Sequence, residues 1–243
     1  MPLVIAHRGA SADAPENTMP AFELAFQQGA DMLELDVQCS ADGVLVVFHD
    51  ETTARWEAQA RPIGACSLAE LRQIPIGSAR IATLAEVATL VRERGAAVNI
   101  ELKMPGLEAM VAALVHAERI TDQVLISSFD AHMLREMARV APQLARAYLM
   151  GHRTLRPDVR LRESWPFAAL RAVGATAWHP AYQIPLLARV ASRVQRAGYR
   201  INVWTVNEPT RMQQLIALGV DGIITDHPAR LRALLATAHA RVV

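Results

Sequence analysis

At 243 residues and a formal charge of +1, the chain has room for one large domain or two small ones, with no global field to draw it to nucleic acid or an anionic membrane. A composition 52% hydrophobic and 20% charged suits a globular protein with a sizeable core. Two cysteines, Cys39 and Cys66, make neither a disulfide framework nor a metal motif, and the opening "MPLVIAHRGA" has no basic leader, so a cytoplasmic protein without stable membrane association is expected.

Short apolar runs alternate with amphipathic stretches along the chain. Strands are expected at 3–6, 33–37, 44–48, 98–102, 124–127, 145–149, 176–178, 201–206 and 222–225. Helices are expected at 19–28, 84–94, 107–117, 131–140, 161–173, 185–197, 210–218 and 229–240. Asn207 and Asp226 precede prolines in the manner of helix N-caps, and Gly29, Gly95, Gly198 and Gly219 each close a helix. Strand–helix alternation of this kind demands a parallel sheet with right-handed crossovers. About 240 residues in eight such units match an α/β fold of the (β/α)8 TIM-barrel type, formed by residues 1–243 as a single domain. A doubly wound open sheet is disfavoured by the lack of a glycine-rich dinucleotide turn.

One strand is surplus. Only "QCSADG" separates the second run from the third, too little for a parallel crossover, so the two form a hairpin turning at Ala41–Asp42–Gly43. Residues whose numbers sum to about 84 then face each other, which sets His49 opposite Leu35, between Glu34 and Asp36. Residues 50–82 are punctuated by Pro62, Gly64, Pro75 and Gly77, with one short helical piece at 68–74, and read as an excursion over one barrel face. "GHRTLRPDVR" reads as a long loop, and Arg153, Arg156, Arg160 and Arg162 in and beside it as solvated surface.

Chemistry in such a barrel gathers at the carboxyl ends of the strands. His7 and Arg8 end the first strand, Glu34 and Asp36 share one side of the second, Glu101 and Lys103 end "VNIELK", and His49 and Asp50 end the hairpin return. Three converging carboxylates repel one another unless a cation offsets them, and an all-oxygen set suits one Mg²⁺ or Ca²⁺. Arg8 and Lys103 match a phosphate, and two histidines titrating near neutrality can divide proton transfer. Cation, basic groups and a histidine pair together describe phosphodiester cleavage. His116, His132, His152, His179, His227 and His239 carry no motif.

The segments "AHRG", "PENT", "ELDV…DG…VVFHD", "NIELK", "SSF", "VWTVN" and "DGIITDHP" occur in the order and spacing of the glycerophosphodiester phosphodiesterases, and the chain resembles the short cytosolic bacterial members of that family. The resemblance implies a phospholipase-C-like barrel with His7 and His49 as the catalytic pair, Glu34, Asp36 and Glu101 as metal ligands, and Arg8 and Lys103 at the phosphate. It implies hydrolysis of deacylated phospholipids such as glycerophosphocholine or glycerophosphoethanolamine to glycerol 3-phosphate and an alcohol, with the substrate's 2-hydroxyl or a water as nucleophile. Asn17 is a further candidate for a phosphate or glycerol contact; Phe129 and Trp204 end strands where they can pack against glycerol carbons. The family's leucine–aspartate–arginine run after the second histidine is replaced here by "ETTARWEAQARPIGA", which bears on headgroup preference. Two alternatives use the same residues: a lysophospholipase D, which needs an apolar groove at the mouth, and a non-catalytic phosphodiester-binding protein. Neither composition nor charge points to a particular oligomer.

Overall fold

The computed structural model describes residues 1–151 and 157–240. His152, Arg153 and Arg156, and the side chain of His239, lie outside the described residues.

The elements run β1 (Leu3–His7), α1 (Met19–Gln27), β2 (Met32–Cys39), β3 (Leu45–Val47), α2 (Leu68–Leu71), β4 (Ala82–Thr83), α3 (Leu84–Arg94), β5 (Ala97–Leu102) and α4 (Glu108–Ala117). They continue with β6 (Val124–Ser128), α5 (Ala131–Val140), β7 (Ala145–Met150), α6 (Pro157–Ser164), α7 (Phe167–Ala172), β8 (Ala177–Pro180), α8 (Leu187–Arg196), β9 (Arg200–Val203), α9 (Pro209–Leu218), β10 (Gly222–Thr225) and α10 (Pro228–Ala240). Eight strands pair in parallel in the order β1, β2, β5, β6, β7, β8, β9, β10, and β10 returns to β1. The sheet is therefore closed, and the expected (β/α)8 barrel forms.

The hairpin lies outside that ring. β3 runs antiparallel to β2 with Val37 facing Val47 and Cys39 facing Leu45, the register derived from the length of the turn. A short strand absent from the sequence reading, β4, then pairs antiparallel with β3 and returns the chain to α3. The excursion is held by its own apolar cluster of Val46, Phe48, Ile63, Cys66, Leu71, Ile74, Ile76 and Ile81. Burying one such isoleucine stabilises by roughly 1.5–3 kcal/mol, which keeps a segment poor in regular structure packed on the hairpin.

Local chemistry explains most helix ends. Thr18 caps α1 by accepting from the Ala21 amide, and Thr83 with Glu86 makes a reciprocal capping box at α3. The helix expected at 161–173 is instead two, α6 and α7, because Pro166 has no N–H to continue the ladder. α6 also begins at Pro157, inside the stretch expected as a loop, and seats Glu163 in a buried position against Arg160. Among the described residues no helix is long and apolar enough to cross a membrane.

The turn after β1 governs the site. Arg8 and Gly9 both take positive φ, 55° and 86°, and a Cβ on Gly9 would stand 2.7 Å from the Ala21 carbonyl carbon. Gly9→Ala is expected to cost about 2–4 kcal/mol through backbone strain and the clash with α1, read as a lowered melting temperature.

Candidate active site

Strand parity brings the polar residues together. Glu34 and Asp36 on β2 lie in register with Asn99 and Glu101 on β5, and His7 lies in register with Glu34. Carboxylate oxygens of Glu34, Asp36 and Glu101 all come within 4.8 Å of one another, and all three residues are buried. The set is all oxygen, with no histidine or cysteine among the converging donors, and so fits a hard divalent cation.

The electrostatics favour a cation as well. Burial, reinforced by the charges of Asp36 and Glu101, pushes the Glu34 carboxyl up to about 8. Glu101 is also raised, by burial and by Asp36, against the pull of Lys103. Asp36 goes the other way: burial would raise it, but Arg8, Lys103, His49 and the Asn17 amide hold it below the usual carboxylate range. Arg8 Nε stands 3.1 Å from Asp36 Oδ2; Lys103 Nζ is 2.8 Å from Glu101 Oε1 and 3.4 Å from Asp36 Oδ1. Two cations thus offset part of the charge of three carboxylates, and the remainder suits a bound ion.

Each expected catalytic histidine is oriented by a carboxylate. Asp226 lies 2.6 Å from His7 Nδ1, and Asp50 lies 2.8 Å from His49 Nδ1. Neither ring makes another hydrogen bond to the described residues, so each Nε2 has no partner among them. Burial alone would lower His7, but the Asp226 bond and the Glu34 charge outweigh it and the ring is raised. His49 is lowered by burial, against the pull of Asp36.

The support around the histidines was not legible as such. Asp226 and Asn207, read from the sequence as helix caps, spend their side chains on one another and on His7. Asn207 Nδ2 donates to Asp226 Oδ2 at 2.5 Å, and its Oδ1 accepts from the Asp226 amide at 3.0 Å. Ser11 Oγ donates to Asp226 Oδ1 at 3.0 Å. Burial would raise the Asp226 carboxyl, but the His7 bond and these donors pull it down to about 2. On the other side Asp50 binds Arg55 Nε at 2.5 Å, Arg55 binds Glu16 at 2.6 Å, and Glu16 binds Arg8 Nη1 at 3.1 Å. A chain of charges therefore links His49 to Arg8. Its sequence signal was position alone, Glu16 in "PENT" and Arg55 just after the hairpin return.

Of the remaining candidates, Phe129 and Trp204 meet edge to face, with ring centroids 5.4 Å apart, on the wall of a cleft of about 230 Å³ that His7, Arg8, Glu34, His49, Glu101 and Lys103 also line. Asn17 is buried behind Asp36, with Nδ2 donating to Asp36 Oδ2 at 2.9 Å. Its backbone, at φ 58°, donates to the Arg8 carbonyl. His179, given no role from the sequence, is fully buried in β8, and burial drops its ring to about 3.

Removing the Asp226 charge tests the dyad. Asp226→Asn is expected to lower kcat by roughly 10–100-fold, the usual cost of losing a carboxylate that orients a functional histidine. The limb of the pH–rate profile set by His7 should move to lower pH, because the group that raises its pKa is gone.

The model of the glycerophosphoryl diester phosphodiesterase family matches residues 7–230. A glycerophosphodiester phosphodiesterase of Caldanaerobacter subterraneus subsp. tengcongensis is 36% identical over 242 residues, covering 94% of this chain and 96% of that protein. The crystal structure of a glycerophosphodiester phosphodiesterase from Agrobacterium tumefaciens superposes with a TM-score of 0.80 at 30% identity, covering 96% of this chain and all (100%) of the other. A phosphodiesterase of Oleispira antarctica, solved in complex with the product sn-glycerol-3-phosphate, superposes with a TM-score of 0.83 at 29% identity over 97% of each chain. The chain belongs to the glycerophosphoryl diester phosphodiesterase family and is an enzyme of that kind.

Proposed function

We propose that the enzyme hydrolyses glycerophosphodiesters, deacylated phospholipids such as glycerophosphocholine or glycerophosphoethanolamine, to glycerol 3-phosphate and the free alcohol. The observation that carries the reading is one cleft lined by two carboxylate-oriented histidines, two phosphate-matching cations and carboxylates of the buried acidic cluster. Glu34, Asp36 and Glu101 hold one divalent cation, Mg²⁺ or Ca²⁺. When bound, that ion offsets the carboxylate charge and polarises a phosphoryl oxygen. Arg8 and Lys103 take the phosphoryl oxygens, and Phe129 with Trp204 forms the apolar wall for the glycerol carbons. Of His7 and His49, one accepts the proton of the nucleophile, a water or the substrate's 2-hydroxyl, and the other donates a proton to the departing alkoxide as the phosphorus–oxygen bond to the headgroup breaks; attack by the 2-hydroxyl leaves a cyclic phosphate that a water then opens to glycerol 3-phosphate. Asn17 acts through Asp36, which it holds by a hydrogen bond. Residues 1–243 work as one catalytic domain on a small-molecule substrate in the cytoplasm, with no nucleic acid and no stable membrane partner.

The test is release of glycerol 3-phosphate from both diesters with Mg²⁺, with Ca²⁺ and with chelator, alongside lysophosphatidylcholine. Metal-dependent release from the deacylated diesters supports the reading. Faster turnover of the lysophospholipid would overturn the substrate assignment in favour of a lysophospholipase D.

A further inference from the structure

Barrel interiors of this type are ordinarily filled by layers of branched apolar side chains. Beside its apolar side chains this one also buries four polar residues. Asn99 is in register with Glu34 and Ser127 with Glu101, so they share the inward face with those carboxylates. The other two are His179 and Asn202, joined by a 2.9 Å bond between Nε2 and Nδ2. Relative exposure is 1% for Asn99, 0% for Ser127 and His179, and 4% for Asn202. Yet neither amide atom of Asn99 has a hydrogen-bond partner among the described residues, and the same holds for Ser127 Oγ, His179 Nδ1 and Asn202 Oδ1.

An unpaired buried donor or acceptor costs about 1–3 kcal/mol, so Asn99, with two, is a poor choice for packing alone. It is also the one of the four that lines the catalytic cleft. A hard divalent ion takes about six to eight oxygen ligands, of which three carboxylates supply a part and water commonly another. A fourth carboxylate there would crowd three whose oxygens already lie within 4.8 Å of one another. A neutral carboxamide offers an acceptor and a donor without adding charge.

We propose that Asn99 is a positioning residue of the cation site, its carboxamide holding a water ligand of the bound ion. The inference rests on the reading of Glu34, Asp36 and Glu101 as a divalent-cation site. It predicts a division of effects that a packing role does not. Removing the amide relieves unpaired groups in the metal-free protein while weakening the grip on the ion.

The experiment is calorimetric titration of the chelator-stripped full chain with Mg²⁺ and with Ca²⁺, without substrate, for wild type, Asn99→Leu and Asn99→Ala. Thermal unfolding of each protein in chelator accompanies it. Asn99→Leu is expected to melt, metal-free, no lower than wild type, and both variants to bind the ion about 10–100-fold more weakly, as for lost outer-shell partners. Should Asn99→Leu fail to fold, Asn99→Ala, which makes no steric demand, decides alone. Wild-type affinity in either folded variant overturns the proposal. A wild-type protein that binds neither ion defeats the cation reading itself, and the inference with it.

Discussion

Replacing His49 by alanine is expected to lower kcat by about 10²–10⁴-fold, the range contributed by a positioned proton-transfer group, while cation binding stays within about threefold of wild type, His49 being no ligand of the ion. Separating the two readouts matters, because His49 sits between two systems. Its Nδ1 faces Asp50, which leads through Arg55 and Glu16 to Arg8. Its charge, when present, adds to those of Arg8 and Lys103 in holding Asp36 ionised. The side chain is 34% exposed, so truncation leaves a water-filled gap rather than a dry cavity, and folding should be little affected. Steady-state release of glycerol 3-phosphate measures the first quantity and calorimetric titration with Mg²⁺ or Ca²⁺ the second. Loss of metal binding together with rate would mean that His49 supports the acidic cluster instead of moving a proton.

The second large effect concerns Glu34. Glu34→Gln is expected to weaken cation binding by at least about 100-fold, a ligand costing no less than the outer-shell partners that typically cost 10–100-fold, and to remove measurable turnover as chelation of the wild type does. The same residue sets a pH dependence of stability in the metal-free protein. Its folded-state pKa, about 8, lies above the ordinary 4.5, so between these values the folded protein holds a proton that the unfolded chain releases. The stability that Glu34 contributes must then fall as pH rises through this window, since the native state binds its proton there. Glu101, raised by burial and Asp36, acts in the same sense. Asp36, held low, acts in the opposite sense, but its contribution is lost only as pH falls into the acid range. Thermal unfolding in chelator from about pH 6.5 to about pH 8, above the range in which the lowered His179 and His49 act in the opposite sense, should therefore show a decline in wild type and a shallower one in Glu34→Gln. Saturating cation should flatten the wild-type curve. A rise in stability over that interval would contradict the arrangement of charges described here.

Much of the site was readable because strand parity is a local rule. Glu34 and Asp36 are two apart, as are Glu101 and Lys103, and in any extended strand such pairs share a side. The hairpin register followed from a turn length. The places where local rules misled are equally specific. Asn207 and Asp226 sit before prolines as helix caps do, yet in the structure Asp226 bonds His7 and Asn207 bonds Asp226. They were discernible only by the rule that located the other residues, since Asp226 directly follows a barrel strand as Arg8 does. The interruption between α6 and α7 was visible as Pro166, but the start of α6 at Pro157 was not, because its sequence is largely polar.

The sequence by itself determined the alternation of strands and helices, the hairpin and the inward parity of the acidic residues, all of which depend on spacing within a few tens of residues. Only the tertiary structure decided which groups orient the histidines and which polar residues the barrel buries. His7 and Asp226 are 219 residues apart, and they meet because β10 pairs with β1 to close the barrel. Asn99, Ser127, His179 and Asn202 come from four different strands of the closed ring, and His179 and Asn202 bond across two of them. Closure is a property of the whole sheet, fixed by the stagger of eight strands together, and no single segment carries it.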